Sequence, residues 1–178
     1  MRATPGQGAK VSARSGADAM QEQAGVSKNE FWFEDLTVGQ VLRSARGITL
    51  DRDSMIAFAR EYDPQPAHLG EETARDSQFG LFCASGWQTG SVSMRLVAET
   101  LPIARGGMGA GIDKLRWPRP VLPGDTLRVE MEILEARPSM SRPGSGVVTH
   151  RTTTLNQRDE PVQVFTSTVL MPRRPKDA

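Results

Sequence analysis

The chain has 178 residues, with 22 basic and 21 acidic side chains and a formal net charge of +1, a size that fits one domain. That balance argues against a dedicated nucleic-acid binder, which carries a basic face and a high pI. One cysteine, Cys83, and two histidines, His68 and His150, give no expectation of an internal disulfide, a cysteine-based zinc site or a histidine-rich metal site.

Residues 1–30 are rich in Gly, Ala, Ser and Gln and offer little to bury, so a mobile tail is expected. The tail lacks the apolar core of a secretory signal. No apolar run approaches the ~18 residues that span a bilayer. The expected setting is cytoplasmic, without metal, cofactor, membrane or nucleic acid. Residues 31–171 form the expected single domain, and 172–178 read as a short, solvated basic tail.

The domain opens at the aromatic cluster "FWFEDL". "VLRSARGITL" alternates loosely and predicts one short strand. In "TLDRDSMIAFAREY", Thr49 or Asp51 is a helix N-cap, and Met55, Phe58, Ala59 and Tyr62 recur at the spacing of one helical face. Asp63-Pro64 ends that helix, because a residue before proline is pushed out of the helical region. The stretch from 64 to 85 reads as mostly loop. "SGWQTGSVSMRLVAETLP" predicts a second, longer helix capped by Ser85, with Pro102 beyond its end. Two interior glycines, Gly86 and Gly90, each cost about 0.8–1 kcal/mol in a helix, so a close neighbour or ligand is expected against that backbone. "ARGGMGAG" reads as a glycine-rich connector, and "GIDKLRWPRPVLPGD" as a strand entering a proline-marked bend. "TLRVEMEILEA" alternates, with Leu127, Val129, Met131 and Ile133 on one face. "VVTHRTTTLN" and "VQVFTSTVLM" supply two more strands around the turn "QRDEP", the last apolar on both faces and so central. The order predicts an α+β fold in which an antiparallel sheet wraps one long helix.

"DPQPAH", at 63–68, holds an aspartate and a histidine five residues apart with two prolines between them. Taken alone, it reads as a turn, a helix end followed by a hydrogen-bonded loop histidine. Its place before a glycine-opened helix and a run of strands resembles the MaoC-like acyl dehydratase family, whose best-known members are (R)-specific enoyl-CoA hydratases. "FGLFCASGW" and "RPVLPGDTLRV" carry the rest of the resemblance, which covers roughly residues 31–171. Two positions depart from the family pattern: Gln65 stands for the usual Asn, and Ser85 for the usual His.

The resemblance implies a hot-dog fold, a homodimer, and an acyl-CoA or acyl-carrier thioester as substrate. It also implies hydro-lyase chemistry on Asp63 and His68. Hydration of an unsaturated thioester needs a base for water, an acid for the α-carbon and a donor for the thioester oxygen. Imidazole suits proton transfer near neutral pH, and Pro64 and Pro66 each fix a φ angle near −65°. Gly86 is expected to offer its N–H at a helix N-terminus, where the dipole favours an anionic oxygen, and to leave room there for the thioester. Ser85 and Gln65 border that site.

Other residues receive plainer readings. Cys83 is a buried structural thiol, His150 a surface or core-edge histidine, and Trp87 and Trp117 are core or interface anchors. Lys114, Arg116 and Arg119 are candidates for coenzyme A phosphates, since arginine suits phosphate. Two competing functions remain: a hot-dog thioesterase using Gln88 or Glu99, and a non-catalytic acyl-binding subunit.

Overall fold

The computed structural model describes residues 30–175. Nearly all of the expected tail at 1–30, and residues 176–178, lie outside them. In chain order come β1 (Val41–Arg43), β2 (Ile48–Thr49), α1 (Arg52–Tyr62), α2 (Glu71–Ala74), α3 (Gly86–Thr100), β3 (Met108–Arg116), β4 (Thr126–Pro138), β5 (Ser145–Leu155) and β6 (Pro161–Pro172). The strands form an antiparallel sheet in the order β1-β4-β5-β6-β3, with β2 also pairing with β4. The helix α3 packs against β4, so the α+β expectation of a sheet around one long helix is met.

The alternation in β4 does the work expected of it. Leu127, Val129, Met131 and Ile133 are all fully buried and form the sheet side of the core with Leu96, Val97 and Leu101 of α3 and its end. Opposite them, β5 buries Val148, His150, Thr152 and Thr154, so the face turned to α3 is partly polar. Ser93 Oγ–H of α3 donates to Thr89 O at 2.8 Å, so its oxygen accepts the 2.7 Å bond from Thr154 Oγ1–H. Strand β6 lies between β5 and β3, but its second face is only half-buried.

The structure corrects three readings. The single strand expected at 41–50 is two short ones, broken at 44–47, where Ser44 N–H donates to Val129 O and Val129 N–H donates to Ser44 Oγ. The buried face of α1 is Met55, Ile56 and Ala59, whereas Tyr62 is 64% exposed; Phe58 and Tyr62 instead pack ring to ring at 5.0 Å. The glycine-rich connector already contains the start of β3 at Met108. A side chain at Gly107 would sit 2.5 Å from Ile103 Cδ1, so glycine lets the strand enter closely. Arg173 and Arg174 of the basic tail, both exposed, pair with Glu34 and Asp35 at 2.9 and 2.7 Å, closing the two ends of the domain together.

Candidate active site

Asp51 caps α1, accepting a 2.9 Å bond from Ser54 N–H, and Asp63 ends it, its N–H donating to Ala59 O. A tight turn follows, with Gln65 N–H donating to Asp63 O at 2.8 Å. Pro66–His68 then make one 3-10 turn with the proline at its start, and His68 N–H donates to Gln65 O. Two prolines and two short-range bonds thus fix the loop on which both candidate residues stand. Segment 82–85 runs alongside it, held by Cys83 N–H to Ala67 O and Ala84 N–H to Val121 O.

Within this frame His68 is 8% and Asp63 15% exposed at the side chain, and His68 Nε2 stands 3.6 Å from Asp63 Oδ2. That separation exceeds a direct hydrogen bond, and both residues line the same cleft. His68 Nδ1 lies 2.9 Å from Cys83 O. A carbonyl oxygen only accepts, so Nδ1–H donates to it and Nε2 faces Asp63. Asp63 receives a bond from Gln65 Nε2–H on Oδ1 at 2.7 Å and from Ser85 Oγ–H on Oδ2 at 2.6 Å. Burial pushes its carboxyl upward, but the Ser85 and Gln65 donors and the nearby imidazole outweigh burial and hold it below the usual carboxylate range. Asp63 is therefore ionised at neutral pH. Ser85 does two things at once, since its Oγ also accepts from Trp87 N–H at 3.1 Å and so caps α3.

The cleft holds about 520 Å³ and is walled by Phe79, Trp87, Trp117, Arg119 and Val121 around Asp63, Gln65, His68 and Gly86. Gly86 opens α3, where first-turn amides lack intrahelical acceptors. Its missing side chain, however, does not leave room for a ligand. A Cβ there would lie 2.9 Å from the Trp117 ring, whose Nε1–H donates to Gly86 O at 3.0 Å. The space expected for a thioester is filled by the indole, and only the N–H remains available to one.

Other expectations divide. Trp87 and Trp117 are 62% and 41% exposed and meet edge to face at 5.8 Å, so they are walls of the cleft rather than core residues. Of the three cations expected near phosphate, only Arg119 lines the cleft; Lys114 and Arg116 line a separate groove beside Arg151. Cys83 is buried, and burial pushes its thiol upward, against a nucleophilic role. His150, expected at the surface or the core edge, is buried on β5. Phe79, whose ring centroid lies 6.4 Å from that of His68, was not anticipated, because it sits in a loop without periodicity. Among the described residues no group of three or more His, Cys, Asp or Glu gathers as a metal site, and no helix is long and apolar enough to cross a membrane.

Comparison with known proteins bears on the family and the fold. A family model described as a MaoC like domain matches residues 34–156. A solved MaoC-like dehydratase from Rhodospirillum rubrum is 49% identical, with a TM-score of 0.77, covering 82% of this chain and 99% of that one. The R-hydratase PhaJ1 from Pseudomonas aeruginosa, in its unliganded form, is 28% identical with a TM-score of 0.65, over 82% and 88% of the two chains. Mesaconyl-CoA hydratase from Cereibacter sphaeroides is 42% identical over 153 residues, which are 80% of this chain but only 41% of that protein's length.

Proposed function

This chain belongs to the family of MaoC-like domains, and from that premise we propose that it adds water to, or removes it from, an acyl thioester, with Asp63 and His68 as the acid–base pair. In chemical terms it is an (R)-specific enoyl-CoA hydratase, or equally a 3-hydroxyacyl-CoA dehydratase. The observation that carries this reading is a carboxylate oxygen, Asp63 Oδ2, and an imidazole nitrogen, His68 Nε2, 3.6 Å apart at the wall of one cleft.

In hydration, the water oxygen bonds to the β-carbon and its proton passes to the pair. The β-carbon's π electrons move toward the thioester, whose oxygen takes the negative charge. The α-carbon then takes a proton from the pair as the carbonyl re-forms, and dehydration reverses every step. One positioned group of this kind contributes about 10²- to 10⁴-fold. The N–H of Gly86 at the start of α3 is the donor for the thioester oxygen, and such a donor is worth on the order of 10²–10³ in kcat. Ser85 and Gln65 hold Asp63 in place and ionised.

Two features weigh against thioester hydrolysis. Gln88 donates its Nε2–H to Ser54 O on α1, and Glu99 is paired with Arg46 and Arg95; neither lines the cleft. A homodimer working on an acyl-CoA or acyl-carrier thioester belongs to the same proposal, and the edge of β3 away from β6 carries no strand among the described residues. The test is a panel of enoyl-CoA thioesters with chiral analysis of the product. The reading expects (R)-3-hydroxyacyl-CoA; release of free thiol without hydration would replace it with the thioesterase reading, and tight binding without turnover with the acyl-binding one.

A further inference from the structure

The cleft that holds Asp63 and His68 has one arginine in its wall, Arg119. It stands between Pro118 and Pro120 in "WPRPV". The first proline has a fixed φ angle, and the second keeps Arg119 itself out of the helical region. Val121 O accepts from Ala84 N–H at 2.9 Å, which ties this segment to the strip leading into Gly86. Arg119 is therefore placed by a stiff frame, as Asp63 and His68 are by Pro64 and Pro66.

Its guanidinium is largely uncommitted. One Nη1–H donates to Pro161 O at 3.3 Å, and Nε stands 3.8 Å from Glu160 Oε1, beyond a hydrogen bond. Glu160 turns its other oxygen to Asn156 Nδ2–H at 2.9 Å and Arg158 Nε–H at 2.8 Å. By contrast, Arg46, Arg52, Arg128 and Arg158 each meet a carboxylate at 2.9 Å or less. Of the five donors of a guanidinium, only one of Arg119's has a protein acceptor among the described residues.

Such a fork of open donors matches a carboxylate or a phosphate. An acyl thioester can bring either, as phosphates on its carrier or as a carboxylate on its acyl group. Length decides between them. Along a phosphopantetheine arm, about 14 bonds separate the thioester carbon from the nearest phosphorus, ~16 Å when extended. A sphere of the cleft's volume, about 520 Å³, is only ~10 Å across. A carboxylate ending a four- or five-carbon acyl group lies ~4–5 Å from the thioester carbon, inside the space shared with Asp63 and His68. The ionised Asp63 repels a second carboxylate there, and a cation in the same wall offsets that repulsion.

Resting on the acyl-thioester reading, we propose that Arg119 is a specificity-determining residue. It selects short acyl groups that end in a carboxylate, which pairs with the guanidinium while the carbons lie against Phe79, Trp117 and Val121 of the same cleft.

The test needs no turnover, which separates it from the test of the hydro-lyase reading. Glutaryl-CoA and pentanoyl-CoA, both saturated and equal in carbon count, are titrated calorimetrically into the full chain, alongside the same two acyl groups on pantetheine, which carries no phosphate. The glutaryl group binds about tenfold more tightly than the pentanoyl group on either carrier, as a charge-assisted pair partly open to solvent contributes. The ratio falls toward one in Arg119→Gln and is partly restored in Arg119→Lys. Pentanoyl thioesters binding the wild-type protein as tightly as glutaryl ones overturn the proposal, whatever the variants do. So does a ratio that Arg119→Gln leaves unchanged in a protein that melts like the wild type. A loss in Arg119→Gln that is equal for both acyl groups and confined to the coenzyme A thioesters assigns the guanidinium to a carrier phosphate and overturns it too. If the wild-type protein prefers the glutaryl group while hydrating no enoyl thioester, the specificity stands and the catalytic reading falls; if it binds none of the four thioesters, both fall.

Discussion

Asp63 is held by two donors of different origin. Gln65 comes from the same loop, two residues on; Ser85 comes from the cap of α3, 22 residues away. Both stabilise the ionised carboxylate against the upward push of burial. Because its folded value lies below that of an unfolded aspartate, about 3.9, Asp63 contributes stability above that pH. The contribution fades as pH falls through the lower folded value. Removing either donor, by Ser85→Ala or Gln65→Ala, lets burial prevail. The acid limb of kcat/KM against pH, which reports groups of the free enzyme, then moves to higher pH in each variant. A limb that stays put in both would mean that Asp63 is not the group it reports. These two residues are also where the chain departs from the pattern it otherwise resembles. The structure gives both a task, which their sequence positions alone did not disclose.

At the level of elements, the start of α3 is the most constrained point. Ser85 caps the helix, Gly86 supplies an amide, and Trp117 lies against Gly86 from the bend after β3. Gly86→Ala places a methyl 2.9 Å from the indole, and overpacking of this kind costs about 1–3 kcal/mol. The expected results are a lower denaturation midpoint, a changed Trp117 environment in fluorescence, and reduced activity as the helix start shifts. Full stability together with an unchanged tryptophan spectrum would contradict the contact. Elements of this kind differ in how far sequence reveals them. The period-two pattern of β4 and the capped, proline-terminated α1 are local signals, and both stand where the sequence places them. The break between β1 and β2 depends on Ser44 bonding to Val129, 85 residues away, and no local pattern encodes it. The same holds for Trp117 and Phe79, which reach the cleft only through the packing of distant loops, whereas Asp63 and His68 share one stiff turn and were legible together.

For the molecule as a whole, the sheet faces its helix with a mixed surface: apolar on β4, and with His150, Thr152 and Thr154 buried on β5. Burial lowers His150 from 6.5 to about 4, so between those values the unfolded chain binds a proton that the folded one refuses. Stability therefore falls as pH drops through that window, by roughly 3 kcal/mol in all. Chemical denaturation from pH 7 to 4 should show this loss in the wild-type protein and a flatter profile in His150→Gln. Equal slopes would mean that the ring is solvated. The fold thus buries two histidines in different settings, His150 on β5 under α3 and His68 beside Asp63 at the wall of the cleft. The central claim is that Asp63 and His68 transfer the protons of hydration, and its most direct measurement is the rate at which Asp63→Asn and His68→Gln hydrate crotonyl-CoA, followed by loss of enoyl-thioester absorbance. The account predicts a fall of about 10²- to 10⁴-fold in each variant, with melting like that of the wild type; rates within a few-fold of the wild type in both would contradict it.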